Sequence, residues 1–450
     1  MGLYTGLVAN LLFPLQETLK KHNTLAIRKA MEDSQWWSQE KLEQYRLERL
    51  RNLLVKVRNH VPYYRDCFAS LDFKPQSISS LADLNQLPLL TKTIIRAEGD
   101  RMKSEVAKGL ARFNTGGSSG EPLIFFIGTE RVSHDVAAKW RATRWWDVDI
   151  GDREIVVWGS PIELSAQDRL RHWRDRLMRT QLLPAFQMSE AKLDEFILTI
   201  TRTRPRMLFG YPSSISLLAR HAEKRGQSMS RLGIKVAFVT SERLYEEQRN
   251  VISRIFGCPV ANGYGGRDAG FIAHECPAGG MHLTAEDIIV EIVDRDGHVL
   301  APGQVGEIVI THLATSDFPF IRYRTGDMGA LSTTLCACGR GLPILEEIQG
   351  RTTDFVVAAD GTVMHGLALI YPIRDLPGVA AFKVIQHSLN HTEVQIVANG
   401  DYSPAVANSI QSGIQARLGK NVTVDVQKVE AIQPERSGKF RYIVSHVPLP

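Results

Sequence analysis

Asn114-Thr115-Gly116-Gly117-Ser118-Ser119-Gly120-Glu121-Pro122, followed at once by the apolar run Leu123-Ile124-Phe125-Phe126-Ile127, is the stretch on which the reading of this chain turns. Glycine admits positive φ and lets another group approach the backbone closely. Successive backbone N–H groups in such a loop form a concave nest for anions, and the hydroxyls of Thr115, Ser118 and Ser119 add donors. The segment reads as a phosphate cradle that opens onto a strand. It is not the P-loop of ATPases and GTPases, which needs Gly-Lys-Ser/Thr where this chain has Gly120-Glu121-Pro122. Standing alone, a Gly/Ser stretch is more often a surface linker, so its meaning depends on its company.

Downstream, the text alternates. Glu154-Ile155-Val156-Val157-Trp158 and Lys235-Val236-Ala237-Phe238-Val239-Thr240 are strand-like apolar runs, and helical patterns cover Ala191 to Thr201 and Ser214 to Arg225. Such alternation implies α/β layers. From Asp287 the character turns to β: Ile288 to Val293, a hairpin-type turn at Asp294-Arg295-Asp296-Gly297-His298, then Gly306 to Thr311. Beyond Gly350-Arg351 lie about a hundred residues with a β–α pattern of their own, enough for a small domain. Upstream, Gln16 to Ala69 reads as helical, with Leu42, Leu50, Leu53, Leu54 and Val57 near helical spacing. The expected fold is α/β: a large N-terminal domain of α/β layers and a β region over 1–350, with 1–80 as a helical lead-in, and a small mobile α+β C-terminal domain over 351–450.

The totals exclude several classes. At 450 residues the chain is long enough for about three domains, and its 44% hydrophobic and 23% charged content is that of a globular protein. A net charge of +5 permits small anionic substrates but does not argue for nucleic acid. Five scattered cysteines do not make a secreted disulfide framework, which points to a reducing, cytoplasmic compartment. The N-terminus is apolar, yet it has no basic flank or small-residue cleavage site, is too short to span a bilayer, and lacks the Ser/Thr that a myristoylation pattern needs at position 6. Packing against the protein's own body is the plain expectation for it, and peripheral membrane contact through residues 1–15 is the sharper one. The basic stretch Arg169 to Arg179 reads as a solvated helix face. The oligomeric state is not legible.

Four further segments change the weight of the glycine loop. Asn262-Gly263-Tyr264-Gly265-Gly266-Arg267-Asp268 joins an aromatic ring to a glycine turn and a carboxylate able to hold Mg²⁺. Tyr323-Arg324-Thr325-Gly326-Asp327 places an aspartate where it could accept both hydroxyls of a ribose. Gly350-Arg351-Thr352-Thr353-Asp354-Phe355 stands at the break between the large and small regions, and Glu435-Arg436-Ser437-Gly438-Lys439-Phe440 carries a lysine after a glycine turn. Each is modest alone. In this order, together with Leu87-Pro88-Leu89-Leu90-Thr91-Lys92, His274-Glu275-Cys276 and Cys336-Ala337-Cys338-Gly339-Arg340, they resemble the adenylate-forming superfamily of acyl-CoA synthetases, peptide-synthetase adenylation domains and luciferases. Within it they are most similar to the phenylacetate–CoA ligase branch with its capsular-polysaccharide-associated members.

The resemblance implies roles at matching positions. Thr115, Gly116, Gly117, Ser118, Ser119 and Gly120 would bind the ATP β- and γ-phosphates. Ser241 and Glu242, in Thr240-Ser241-Glu242, would line the adenine, with Tyr264 and Gly265 beside it. Asp327 would hold the ribose, supported by Arg351. Asp268 would serve Mg²⁺, although the family usually has glutamate there and Thr or Ser where this chain has Arg267. Lys439 would bridge the substrate carboxylate and the α-phosphate, Asp354 would be the hinge, and Tyr211 would border the acid pocket. Trp145, Trp146 and Phe209 are further pocket-wall candidates, more often core residues. The implied reaction adenylates a carboxylic acid, aryl in the branch's usual case, and transfers it to coenzyme A. An amine, a hydroxyl or a carrier protein in cell-surface polysaccharide synthesis is the alternative acceptor.

Cys276-x5-His282 and Cys336-x-Cys338 flank the β region. Three thiolates and an imidazole would form a closed tetrahedral site for structural Zn²⁺, although Cys-x-Cys is tighter than the usual spacing. Two ordinary cysteine loops are the alternative reading, and His274 is an alternative ligand.

Overall fold

β1 (Ala111–Asn114) and β2 (Ile124–Ile127) pair antiparallel with Asn114 opposite Ile124, so the glycine-serine stretch joins two paired strands. These elements come from a computed structural model that describes residues 3–114, 123–158, 174–185, 188–349, 355–374, 376–432 and 442–447. The Thr115 to Gly120 cradle, Arg351, Asp354 and Lys439 lie outside the described residues.

The alternating text becomes a seven-stranded sheet. Its strands are β3 (Glu154–Trp158), β4 (Thr180–Pro184), β5 (Met207–Gly210), β6 (Val236–Thr240), β7 (Val260–Gly266), β8 (Gly270–Glu275) and β9 (Met281–Leu283), ordered β4-β3-β5-β6-β7-β8-β9. Strands β4 to β7 run parallel, and β8 and β9 close the edge antiparallel. A parallel sheet is covered on both faces, which is why β6 is buried at every position. Alternate residues choose opposite faces. Ala237 and Val239 meet the helices α8 (Glu190–Thr203), α9 (Pro212–Lys224) and α10 (Glu246–Phe256) through Phe196, Ile215, Leu218 and Ile252. Val236 and Phe238 meet Ala142 of α7 (Thr129–Arg144) on the other face. The caps are local and legible: Ser189 Oγ accepts from the Lys192 N–H at the start of α8, Pro212 opens α9, and Gly257 ends α10 with φ of 65°.

The N-terminal segment is helical: α1 (Leu3–Leu7), a π-helical segment Val8–Leu12, α2 (Phe13–Leu19), α3 (Thr24–Ser34), α4 (Gln39–His60), α5 (Pro62–Ser70) and, further on, α6 (Lys92–Glu98). The periodic leucines of α4 are buried with the four-stranded antiparallel sheet β10 (Ile288–Val293), β11 (Gly306–His312), β12 (Tyr323–Leu331) and β13 (Leu345–Gln349). The Asp294–His298 turn closes, with the Asp294 N–H donating to the His298 carbonyl at 2.9 Å. A loop then intervenes before β11, so the connection is longer than a tight hairpin.

The chain ends in a separate domain with its own core. The strands β16 (Val379–Ser388), β17 (His391–Ala398), β18 (Thr423–Lys428) and β19 (Ile443–Ser445) form a sheet ordered β18-β17-β16-β19, packed with α11 (Leu367–Arg374) and α12 (Pro404–Leu418). A short hairpin, β14 (Phe355–Val357) with β15 (Val363–His365), straddles the two bodies. Its cross-strand pair Val357 and Val363 packs into the core of the seven-stranded sheet, while Val356 and Met364 pack into the small domain. The two-residue period of a strand thus turns one ribbon into a seam between two cores.

Candidate active site

β7 ends beside the antiparallel sheet, and the two sheets exchange side chains there. The Tyr264 hydroxyl on β7 donates to Asp327 Oδ2 on β12 at 3.1 Å. In return the Tyr323 hydroxyl on β12 donates to Asp268 Oδ2, in the turn after β7, at 2.6 Å. Burial, with Asp327 beside it, holds the Tyr264 phenol protonated far above its ordinary range, so it keeps the proton it donates to Asp327. Two crossed tyrosine–aspartate pairs therefore fix both sequence-nominated carboxylates at the junction of the sheets. Asp268 accepts further from the Ala269 N–H at 3.1 Å.

The backbone around this junction explains the glycines. Residues 263–266 belong to strand β7 rather than to a turn, and the turn falls at Arg267 to Ala269. A Cβ on Gly263 would lie 2.9 Å from the Phe238 ring, and one on Gly265 would run into the Gly270 carbonyl. The glycines are there for close approach between strands. Gly326 in β12 adopts φ of 79°, which sets up the bend before Asp327. Arg131 of α7 is buried and clamps the turn that carries Asp268. Its guanidinium donates to the carbonyls of Asp268 and Arg267, both at 3.1 Å, and to Asp135 Oδ2 at 3.0 Å.

The end of β6 contributes a third edge. Ser241 has φ of 74°, a left-handed conformation that costs a non-glycine residue about 1–3 kcal/mol and persists where its surroundings enforce it. Beside it Glu242 accepts from the Ser213 hydroxyl, and from the Ser213 N–H at 3.4 Å. Tyr211, the residue before α9, is buried and stacks on Trp158 with ring centroids 4.2 Å apart. Burial, reinforced by Glu242, pushes its phenol well up. Trp145 and Trp146, weighed as pocket walls, are core residues instead. Their indoles donate to Gln35 Oε1 at 2.8 Å and to the Glu275 carbonyl at 3.0 Å.

The structure thus brings together Tyr264, Gly265, Asp268 and Asp327 at one junction, and Ser241, Glu242 and Tyr211 at the ends of β5 and β6. Sequence reading missed Tyr323, which stood inside a quoted motif without a role, and Arg131, a lone helix arginine that gives no signal until its turn is placed against it.

The cysteine–histidine set converges. One ligand atom each from Cys276, His282, Cys336 and Cys338 lies within 4.8 Å of all the others. Cys276 Sγ is 3.6 Å from Cys336 Sγ, and His282 Nε2 is 3.2 Å from Cys338 Sγ. These spacings suit a tetrahedral ion with bonds of about 2.0–2.3 Å. His282 Nδ1 lies 3.3 Å from the Leu342 carbonyl, an arrangement that favours the tautomer presenting Nε2 as ligand. Burial holds His282 neutral, lowering it to about 4, and pushes Cys276 up to about 11, so a bound cation would have to displace the thiol proton. A Cβ on Gly280 would lie 2.7 Å from Cys336 Sγ, so the loop must be glycine for the sulfurs to meet. His274 is not part of the set. It stacks on Phe271 with ring centroids 5.5 Å apart, while His282 is the histidine in the cluster.

Comparison with known proteins agrees in fold and in sequence. Residues 356–446 match the CapK C-terminal domain family. The chain is 23% identical over 410 residues to Protein CapK of Staphylococcus aureus, spanning 90% of this chain and 89% of that one. It is 27% identical over 330 residues to a phenylacetate-coenzyme A ligase of Thermus thermophilus, spanning 71% and 72%. Its fold is similar to that of 2-hydroxyisobutyryl-CoA ligase in complex with 2-HIB-AMP and CoA in the thioesterification state, with a TM-score of 0.66 at 18% identity over 92% of each chain.

Proposed function

We propose that this chain, a member of the adenylate-forming superfamily in its phenylacetate–CoA ligase-like, CapK-containing branch, is an AMP-forming acid–thiol ligase. It takes a carboxylic acid, ATP and Mg²⁺ to an acyl-adenylate and pyrophosphate, then transfers the acyl group to coenzyme A. The observation that carries this reading is the crossed pairing of Tyr264 with Asp327 and Tyr323 with Asp268, which presents two oriented carboxylates where the two sheets meet.

The division of labour follows from the chemistry. A carboxylate attacks the α-phosphate of ATP, so two anions must approach and cationic charge must lie between them. Asp327 accepts the ribose hydroxyls and fixes the nucleotide, supported by Arg351. Asp268 would hold Mg²⁺, which would offset the phosphate charge; its side chain is shorter than glutamate, and the Tyr323 hydroxyl and the Arg131 clamp on its turn fix where it sits. Thr115 to Gly120, strung between β1 and β2, cradles the outer phosphates. Ser241, Glu242, Tyr264 and Gly265 border the adenine, and Tyr211 borders the acid. Lys439 supplies the bridging cation from the small domain, residues 351–450, which turns about Asp354 between the two half-reactions. Cys276, His282, Cys336 and Cys338 would hold a structural Zn²⁺, which would tie the edge of one sheet to the loop before β13.

The test is mass spectrometry of the products after incubation with ATP, Mg²⁺, coenzyme A and a panel of aryl and small aliphatic acids. A coenzyme A thioester formed with stoichiometric AMP is expected for at least one acid. Accumulation of acyl-adenylate without thioester would move the acceptor to an amine, a hydroxyl or a carrier protein. ATP binding with neither product would overturn the reading.

A further inference from the structure

We propose that the N-terminal helical segment, residues 3–19, lies in the plane of an anionic lipid surface and anchors this protein there. The segment is not a loose tail. Its inner face is buried through Thr5, Val8, Phe13 and Glu17, and a Cβ on Gly151, whose φ is 88°, would lie 2.6 Å from the Thr5 carbonyl. The Tyr4 hydroxyl donates to the Leu177 carbonyl at 2.9 Å. A helix fixed in this way ordinarily turns polar residues outward. Here the outward face carries Leu7, Leu11, Leu15 and Leu19, which are 42%, 55%, 53% and 77% exposed, continuing Leu3.

The spacing is a strict four. In an α-helix of about 3.6 residues per turn such a repeat drifts around the axis. The π-helical segment Val8–Leu12 turns less per residue and returns part of that drift, which keeps the leucines on one side. The exposed polar side chains on this face also suit an apolar medium. Asn10 Nδ2 donates to the Gly6 carbonyl and Thr18 Oγ1 to the Pro14 carbonyl, both at 2.9 Å. The one carboxylate in the segment, Glu17, is buried against Thr24.

Charge selects the occupant. Lys20 and Lys21 end the segment, and exposed Arg174 and Arg176 stand with Leu177 on the neighbouring stretch that Tyr4 touches. Burial and the nearby Arg174 both lower the Lys20 ammonium, a penalty that anionic headgroups would relieve. A cationic rim around a leucine face is the signature of an interfacial helix, and a second copy of the same rim would repel it. Among the described residues no helix is long and apolar enough to cross a membrane, so the contact proposed is in-plane.

The experiment is co-sedimentation of the full chain with vesicles of phosphatidylcholine alone and of phosphatidylcholine with phosphatidylglycerol, at low and high salt. The wild type is expected to bind the anionic vesicles and to be released by salt. Leu11→Glu with Leu15→Glu should weaken binding on the order of tenfold or more. Lys20→Glu with Lys21→Glu and Arg176→Glu should weaken it by roughly a hundredfold at low salt. Both variants should keep the wild-type circular dichroism and ATP turnover, because the changed residues are exposed and none has a part in the proposed site. Wild type left in the supernatant, or sedimenting equally with neutral vesicles regardless of charge and salt, would overturn the proposal. So would a dimer in solution that the leucine variant converts to monomer without any vesicle binding.

Discussion

Two hydroxyls carry much of the proposed site. Replacing Tyr323 with Phe leaves the ring in the core and removes the donor to Asp268. A hydrogen bond to a charged group is worth about 1.5–3 kcal/mol. Tyr323→Phe is therefore expected to raise the Mg²⁺ concentration for half-maximal activity about tenfold or more in a metal titration, and to lower the thermal midpoint by only a few degrees. A second residue-scale expectation concerns pH. Burial alone would raise the Asp287 carboxyl, but His134 at 2.7 Å and Arg49 at 2.8 Å outweigh it and hold the carboxyl well below the usual carboxylate range. A group depressed on folding contributes stability that is whole above its unfolded value, about 3.9, and is lost as pH falls beneath that value. Denaturant unfolding should show stability declining below about pH 4, with a shallower decline in Asp287→Asn.

At the scale of elements, α7 is held by a buried ion pair. Arg141 Nη1 donates to Glu286 Oε1 at 2.7 Å, and the Ser34 hydroxyl of α3 donates to the same oxygen at 2.7 Å. Removing one partner of such a pair costs about 3–5 kcal/mol, because the other charge is left buried and uncompensated. Arg141→Ala should lose about that much in a denaturant titration. The loop between β12 and β13 depends on its cysteines in another way. Purified protein is expected to carry roughly one zinc per chain by elemental analysis, and Cys336→Ser to lose it together with thermal stability. Metal-free wild type, purified without chelator, would remove the zinc assignment.

What could be read in the sequence follows from the range of each signal. β3 was legible to its ends, because an apolar run is a local statement. The four residues of the cysteine–histidine cluster were legible from spacing. The choice between His282 and His274 was not, since spacing does not say which strand edge meets the cysteine loop. Asp268 and Asp327 were legible as carboxylates after glycines, but their tyrosine partners sit across two sheets, 55 and 63 residues away. The glycines of β7 were read as a turn because sequence does not reveal that Phe238 and Gly270 press against them.

For the whole molecule, the hairpin β14–β15 ties the small domain to the sheet core through Val357 and Val363, so its alternation places the seam close to the proposed hinge at Asp354. If Lys439 acts from that domain, Lys439→Ala should slow adenylation by on the order of a hundredfold or more, yet leave thioester formation from a supplied acyl-adenylate near the wild-type rate. Equal losses in both half-reactions would place the lysine elsewhere in the chemistry. The most direct test of acid activation itself is exchange of labelled pyrophosphate into ATP, in the wild type and in Asp327→Ala. Exchange should require a carboxylic acid, and in the variant it should fall on the order of a hundredfold. Exchange that proceeds without any acid, or at the same rate in the variant, would contradict it.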